Sequence, residues 1–160
     1  MSIAIPLRVL VVDDHAGIRH GISRLIDSEA PRMCSVGAVG TVRDALSQAR
    51  ALQPDVVLLD VNLEGEDGLA MISRLHGAAP CRVVVLTSLS DPRVAERALA
   101  LGARACLHKT APASELIACI AAVWSQAPPS NEGEQVSLAS GNKHPSGSGE
   151  IADGSATASA

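Results

Sequence analysis

The chain has 160 residues, 47% hydrophobic and 19% charged, with a formal net charge of −4. That is enough apolar material for one core, and it excludes a wholly disordered chain. Trp124 is the single aromatic residue, with no Tyr and no Phe; this excludes aromatic base-stacking platforms, and the acidic balance offers no general attraction to a phosphate backbone.

The first apolar run, Leu7–Val12, reads as a strand, and a helical pattern follows it. Met33–Val39 is a second, more mixed run, as an edge strand would be. Thr41 to Asp44 then forms a capping-box-like start, and Val42, Ala45, Leu46, Ala49 and Leu52 follow at helical spacing up to Pro54. Asp55–Leu59 and Arg82–Leu86 are dense in Val and Leu without alternation, which suits strands buried on both faces of a parallel sheet. Asp91-Pro92 predicts a helix N-cap with proline in the first turn, and Gly102 stands where that helix would end. Arg104–His108 reads as a second edge strand, and Pro112 opens a last helix carrying Leu116, Ile117, Ile120 and Val123. Strand and helix alternate five times, which predicts a three-layer α/β domain with right-handed crossovers over residues 1–125.

From Gln126 to Ala160 Ser, Gly, Pro and Ala dominate, and Val136, Leu138 and Ile151 are the only large apolar residues. Such a composition cannot offset its ordering entropy, so a disordered tail is expected over 126–160. Met1–Pro6 is too short for a signal peptide, and no apolar run approaches the roughly 20 residues that cross a bilayer. The expectation is a cytoplasmic protein without a membrane partner. The four cysteines show no C-x-x-C and no His pair nearby, so zinc and redox readings fail and they read as small buried side chains. Arg8, Arg19, Arg24, Arg32 and Arg43 read as solvated faces, and the five histidines as surface or loop residues.

Polar residues cluster at strand ends. Asp13 and Asp14 follow the first strand, Asp60 the third, Thr87 the fourth and Lys109 the fifth. In an open α/β sheet that carboxyl edge is where ligands bind. Crowded carboxylates raise one another's pKa unless a cation sits among them, and oxygen ligands in a half-open site suit Mg2+. Asp13 and Asp14 would hold the ion. Asp60 would act as a nucleophile and form an aspartyl phosphate, Lys109 would neutralise phosphoryl charge, and Thr87 would hydrogen-bond a phosphoryl oxygen.

These pieces resemble a response-regulator receiver (CheY-like) domain of two-component signalling. The matching stretches are Val11-Val12-Asp13-Asp14-His15, Leu58-Leu59-Asp60-Val61-Asn62, Asp67-Gly68-Leu69, Val84-Val85-Leu86-Thr87-Ser88 and Gly102 to Thr110, within residues 7–124. The Asp-Asp-His start and the Gly-Ala-Arg…His-Lys-Thr stretch are most similar to the NarL/LuxR-type branch. The resemblance implies a flavodoxin-like sheet of order 2-1-3-4-5, phosphorylation of Asp60 by a histidine kinase or phosphotransfer protein, and Mg2+ contacts that include the backbone carbonyl of Asn62. It also implies a switch rather than a metabolic enzyme, with self-dephosphorylation and a homodimer on phosphorylation among its states.

Three departures stand out. Glu64 replaces the usual proline after the phosphoacceptor, which removes a stiff ring from that loop and adds a charge. Cys106 holds the position of a switch aromatic. The helix-turn-helix of the NarL/LuxR-type branch is not among the 160 residues, so no direct DNA binding is expected and output passes to a protein partner. The alternative is the receiver half of a truncated DNA-binding regulator. A phosphohydrolase is disfavoured because Asn62 cannot act as a general acid, and a flavin module because nothing aromatic is available to stack.

Overall fold

The structure is a computed structural model, and it describes residues 4–126. The expectation of a disordered tail falls, apart from Gln126, outside the described residues. Five parallel strands form one sheet: β1 (Leu7–Val12), β2 (Met33–Val39), β3 (Val56–Asp60), β6 (Arg82–Thr87) and β7 (Ala105–His108). A separate two-stranded hairpin, β4 (Asn62–Leu63) with β5 (Glu66–Asp67), follows β3. The order in the main sheet is β2-β1-β3-β6-β7. Counting the five long strands alone, that is 2-1-3-4-5, as the resemblance implied, with the two mixed runs at the edges.

The central strands bury both faces, and alternate residues divide between two cores. Leu10, Val12, Val57, Leu59, Val83 and Val85 face one layer. It holds α2 (Val42–Leu52), α3 (Met71–Ala78) and α4 (Pro92–Ala100). Val9, Val11, Val56, Leu58, Val84 and Leu86 face the other, against α1 (Ala16–Asp27) and α5 (Ala113–Ser125). Each fully buried Val or Leu contributes roughly 1.5–3 kcal/mol relative to exposure. An aliphatic core therefore suffices without aromatic bulk.

The helix signals hold in detail. Thr41 Oγ1 accepts from the Asp44 amide at 3.1 Å, and Asp91 Oδ1 accepts from the Arg93 amide at 2.9 Å. Gly102 follows α4 with φ +105°, the left-handed end that favours glycine. The third strand runs one residue later than the sequence suggests, and the fourth one residue longer. Asp60 and Thr87 are therefore the last residues of their strands rather than the first of the loops.

Candidate functional site

The parallel sheet carries the predicted residues to its carboxyl edge. Asp13 continues β1, its amide donating to the Val39 carbonyl at 3.0 Å. Lys109 continues β7, its amide donating to the Thr87 carbonyl at 2.7 Å. The strand pairing brings Lys109 over the middle of that edge, where its Nζ donates to Asp13 Oδ2 and Asp60 Oδ2, each at 2.8 Å. Asp13 and Asp60 are buried, with side chains 2% and 5% exposed, and the Lys109 side chain is 13% exposed.

One ammonium thus serves two buried carboxylates. Burial pushes the Asp60 carboxyl above the usual carboxylate range, against the pull of its Lys109 hydrogen bond and the Asn62 amide; the Asp13 charge adds to the rise. Burial disfavours the charged Lys109, but its bonds to Asp13 and Asp60 outweigh that and hold its pKa above the usual lysine value. Asp60 Oδ1 accepts from the Asn62 amide at 3.2 Å. Thr87 is buried at the end of β6, and its Oγ1 accepts from the Leu89 amide at 2.9 Å. Thr87, Asp60 and Asn62 line one cleft of about 320 Å³ together with Ser88, Asp67 and Gly65.

Asp14 is held differently. Its Oδ2 accepts from the Glu64 amide at 3.0 Å, and this bond leads the causes that hold Asp14 below the usual carboxylate range. The contact depends on the hairpin. Glu64 and Gly65 form a two-residue turn with φ of +50° and +83°, the mirror-image geometry that matches hairpin twist. A proline could neither adopt that φ nor donate that hydrogen bond. Glu64 therefore does not loosen the loop: its backbone ties the hairpin to Asp14. Gly68 closes the same loop. A Cβ there would stand 2.2 Å from the Asp60 carbonyl oxygen, so only glycine lets the backbone turn this close to the end of β3.

The donor set fits a hard divalent cation. Atoms of Asp13, Asp14, His15 and Asp60 lie within 4.8 Å of one another. Asp14 Oδ1 is shielded from solvent, with the exposed His15 Nδ1 2.8 Å away. A cation in reach of that oxygen would complete its partners and relieve carboxylate repulsion.

A family model described as "Response regulator receiver domain" matches residues 9–121. The chain belongs to this family. Among curated relatives, the receiver is 35% identical over 120 residues to "Response regulator GacA" of Pseudomonas viridiflava, covering 74% of this chain and 56% of that protein. It is 42% identical over 101 residues to a protein-glutamate methylesterase/protein-glutamine glutaminase of Nitrobacter winogradskyi, covering 61% of this chain and 24% of that protein. The chain thus spans between about a quarter and about half the length of these relatives. Among solved structures it is similar to the signal receiver domain of the putative response regulator NarL from Mycobacterium tuberculosis, with a TM-score of 0.68 and 29% identity, covering 76% of this chain and 98% of that one.

Several contacts, at the site and elsewhere, escaped the sequence reading. Arg19 is not part of a solvated face: its guanidinium donates to the Asp13 carbonyl at 2.7 Å. Arg8 likewise donates to the Gln53 carbonyl at 3.1 Å. His15 Nδ1 lies 2.8 Å from Asp14 Oδ1 and 3.4 Å from Asp13 Oδ1. His108, just before Lys109, stands 2.7 Å from Thr110 Oγ1 and 3.2 Å from the Ser88 carbonyl. His76 is half-buried, and burial together with the Arg104 charge lowers its pKa. His144 lies outside the described residues. Cys81 is buried, whereas Cys34, Cys106 and Cys119 are half-buried, and all four are free thiols. The only sequence signals for the missed contacts were position: His15 directly after the acid pair, Arg19 one helical turn further on, and Gly65 after Glu64.

Proposed function

We propose that this receiver accepts a phosphoryl group on Asp60 and signals through a change at the β6–β7 edge. The observation that carries this reading is the double hydrogen bond from Lys109 to Asp13 and Asp60. It places a fixed positive charge beside the one carboxylate that ends a central strand. In the transfer, the Asp60 carboxylate attacks phosphorus, and the donor's bond to phosphorus breaks as the new oxygen–phosphorus bond forms. Lys109 offsets the charge of the incoming phosphoryl group, and the Thr87 hydroxyl donates to one of its oxygens. Asp13, Asp14, Asp60 and the Asn62 backbone carbonyl would hold Mg2+, which supplies charge neutralisation for three carboxylates and a phosphoryl group. The donor would be a histidine kinase or phosphotransfer protein in the cytoplasm. Among the described residues no helix is long and apolar enough to cross a membrane.

Engagement of Thr87 would draw on the segment after β6 and bias α4 and β7. Cys106, half-buried on β7, supplies no aromatic ring for that motion. The face formed by α4, β7 and α5 then addresses a protein partner, or a second copy of the chain on phosphorylation. Trp124, near the end of α5, is 44% exposed but lies away from that face, under the Arg82 guanidinium at 4.4 Å and beside Leu7 and Met33. For the 160-residue chain, direct DNA binding is not part of the proposal, because direct readout needs a helix or ribbon presenting several side chains to base edges. A second reading, the receiver half of a NarL/LuxR-type regulator, draws on the GacA-named relative, of which this chain covers 56%. The gene sequence downstream separates the two.

Titration with Mg2+ tests the site. Asp14→Ala is expected to weaken Mg2+ binding markedly, while Thr87→Ala and Lys109→Ala leave it largely intact and impair the response to acetyl phosphate. Equal Mg2+ affinity in Asp14→Ala and the parent would contradict the acid-pair assignment.

A further inference from the structure

His108, the last residue of β7, makes side-chain contacts that the reading above does not use. The residue is half-buried, with Nε2 3.2 Å from the Ser88 carbonyl oxygen and Nδ1 2.7 Å from Thr110 Oγ1. The Thr110 backbone amide also points at Nδ1, at 3.2 Å. A backbone amide can only donate and a carbonyl can only accept. Nδ1 must therefore offer a lone pair, and Nε2 must carry the proton. The Thr110 hydroxyl then donates to Nδ1 as well. This assigns the neutral Nε2–H tautomer, the form in which every one of these contacts is a hydrogen bond. Both partners lie in loops beside the site: Ser88 follows Thr87 at the end of β6, and Thr110 follows Lys109 after β7.

The Ser88 carbonyl belongs to a peptide unit that is held at both ends. Its other end is the Leu89 amide, which donates to Thr87 Oγ1 at 2.9 Å. One peptide thus links the hydroxyl that lines the Asp60 cleft to the imidazole on β7. Cys106, two residues earlier on the same face of β7, has no ring to reach that loop. We propose that His108 is the positioning residue that senses the Thr87 segment: its Nε2–H holds the Ser88–Leu89 peptide while Thr87 faces its own loop, and its Nδ1 carries release of that peptide to Thr110 and the start of α5. This rests on the receiver reading of Asp60 and Thr87 and goes beyond it in naming the side chain that couples the two loops. A Thr87 hydroxyl that turns to a phosphoryl oxygen draws the Leu89 amide along, and the Ser88 carbonyl leaves the ring. The bond from Nε2 is therefore made only while Thr87 faces its loop. Linkage sets the sign: an interaction confined to that state opposes phosphorylation, so removing it favours the phosphorylated state. A residue that merely supported the fold would act the other way.

The experiment uses the full chain, its His108→Leu and His108→Gln variants, and Thr87→Ala alone and combined with His108→Leu. Beryllofluoride with Mg2+ is the probe, as a stable stand-in for a phosphoryl group on a carboxylate. Nitrogen-15 NMR of the His108 ring in mildly alkaline buffer is expected to show a protonated Nε2 and a bare Nδ1. Both signals should shift with the probe in the parent and stay in place in Thr87→Ala. His108→Leu is expected to bind beryllofluoride about two- to tenfold more tightly, the effect of one net hydrogen bond, and to lose the probe-induced shift at the Thr110 amide. His108→Gln keeps a side-chain N–H donor and should stay within about twofold of the parent. In the Thr87→Ala background the leucine substitution should bring no gain. Weaker or unchanged binding in His108→Leu overturns the proposal, as does a gain that persists in Thr87→Ala, a ring protonated on Nδ1, or ring signals that do not move with the probe. If acetyl phosphate still labels Asp60 in those cases, the receiver reading stands and only the role of His108 falls. If it labels nothing and beryllofluoride does not bind, both fall.

Discussion

Replacing Glu64 by proline removes the backbone donor that reaches Asp14 Oδ2, and it does so at a turn the ring cannot enter. The native φ of +50° lies far from the roughly −65° to which proline is locked. A hydrogen bond to a carboxylate contributes about 1.5–3 kcal/mol when shielded. Here the bond is solvent-accessible, so its loss is taken as about 1 kcal/mol. Forcing the turn out of its native region adds roughly 1–3 kcal/mol. Glu64→Pro is therefore expected to destabilise the domain by about 2–4 kcal/mol, a large share of marginal stability. Two controls isolate the backbone. Glu64→Ala keeps the amide and should lie within about 0.5 kcal/mol of the parent. Glu64→Gly keeps the amide and enters the left-handed region freely, so it should lie within about 1 kcal/mol. Urea unfolding followed by the fluorescence of Trp124, the single aromatic residue, gives the midpoints, and an unchanged slope keeps the comparison two-state. The proline variant should also lose Mg2+ affinity while the alanine and glycine variants retain it. A proline variant as stable as the alanine variant would refute the hairpin-to-Asp14 argument.

Three further outcomes follow from the same geometry. Gly68→Ala places a Cβ 2.2 Å from the Asp60 carbonyl oxygen; it should cost about 1–3 kcal/mol in urea unfolding and slow acetyl-phosphate labelling, and a neutral effect on both would show that the loop yields freely. Asp60→Asn should stabilise the fold, because the raised Asp60 pKa means that this group's contribution is present below the unfolded value of 3.8 and lost as pH rises through the folded one; the gain over the parent should be absent below pH 3.8 and grow above it, and a gain that shrinks with rising pH would reverse the sign argued here. Cys81 is buried with its thiol pushed up to about 11, so a thiol reagent at neutral pH should label Cys34, Cys106 and Cys119 first and reach Cys81 only on unfolding; fast labelling of all four in the native state would contradict its burial.

The central strands were legible because Val and Leu runs without alternation have few other uses in a chain of this length. The two edge strands were legible from their mixed character, and the caps at Thr41 and Asp91 from local hydrogen-bond chemistry. Strand ends were less so: Asp60 and Thr87 read as loop residues because polarity marks a ligand edge and a strand end alike. The β4–β5 hairpin was not foreseen, since strands of two residues carry no periodicity, and its turn depends on Glu64 adopting a conformation that sequence favours only for Gly65. Arg19 and His15 look like ordinary helix-start residues. Their contacts to Asp13 and Asp14 exist only once β1 and α1 are docked, and no spacing rule encodes that closure. The site's five predicted side chains, Asp13, Asp14, Asp60, Thr87 and Lys109, in contrast, needed only the topology: each ends or follows a strand, and a parallel sheet gathers strand ends.

The most direct test of the account is mass spectrometry of the chain after incubation with acetyl phosphate and Mg2+, with the modified residue mapped by peptide. One acid-labile phosphoryl group on Asp60, absent without Mg2+ and absent in Asp60→Asn, is the expected result. A phosphoryl group that persists in Asp60→Asn, or that maps to a serine or threonine, would contradict the assignment of Asp60 as the acceptor.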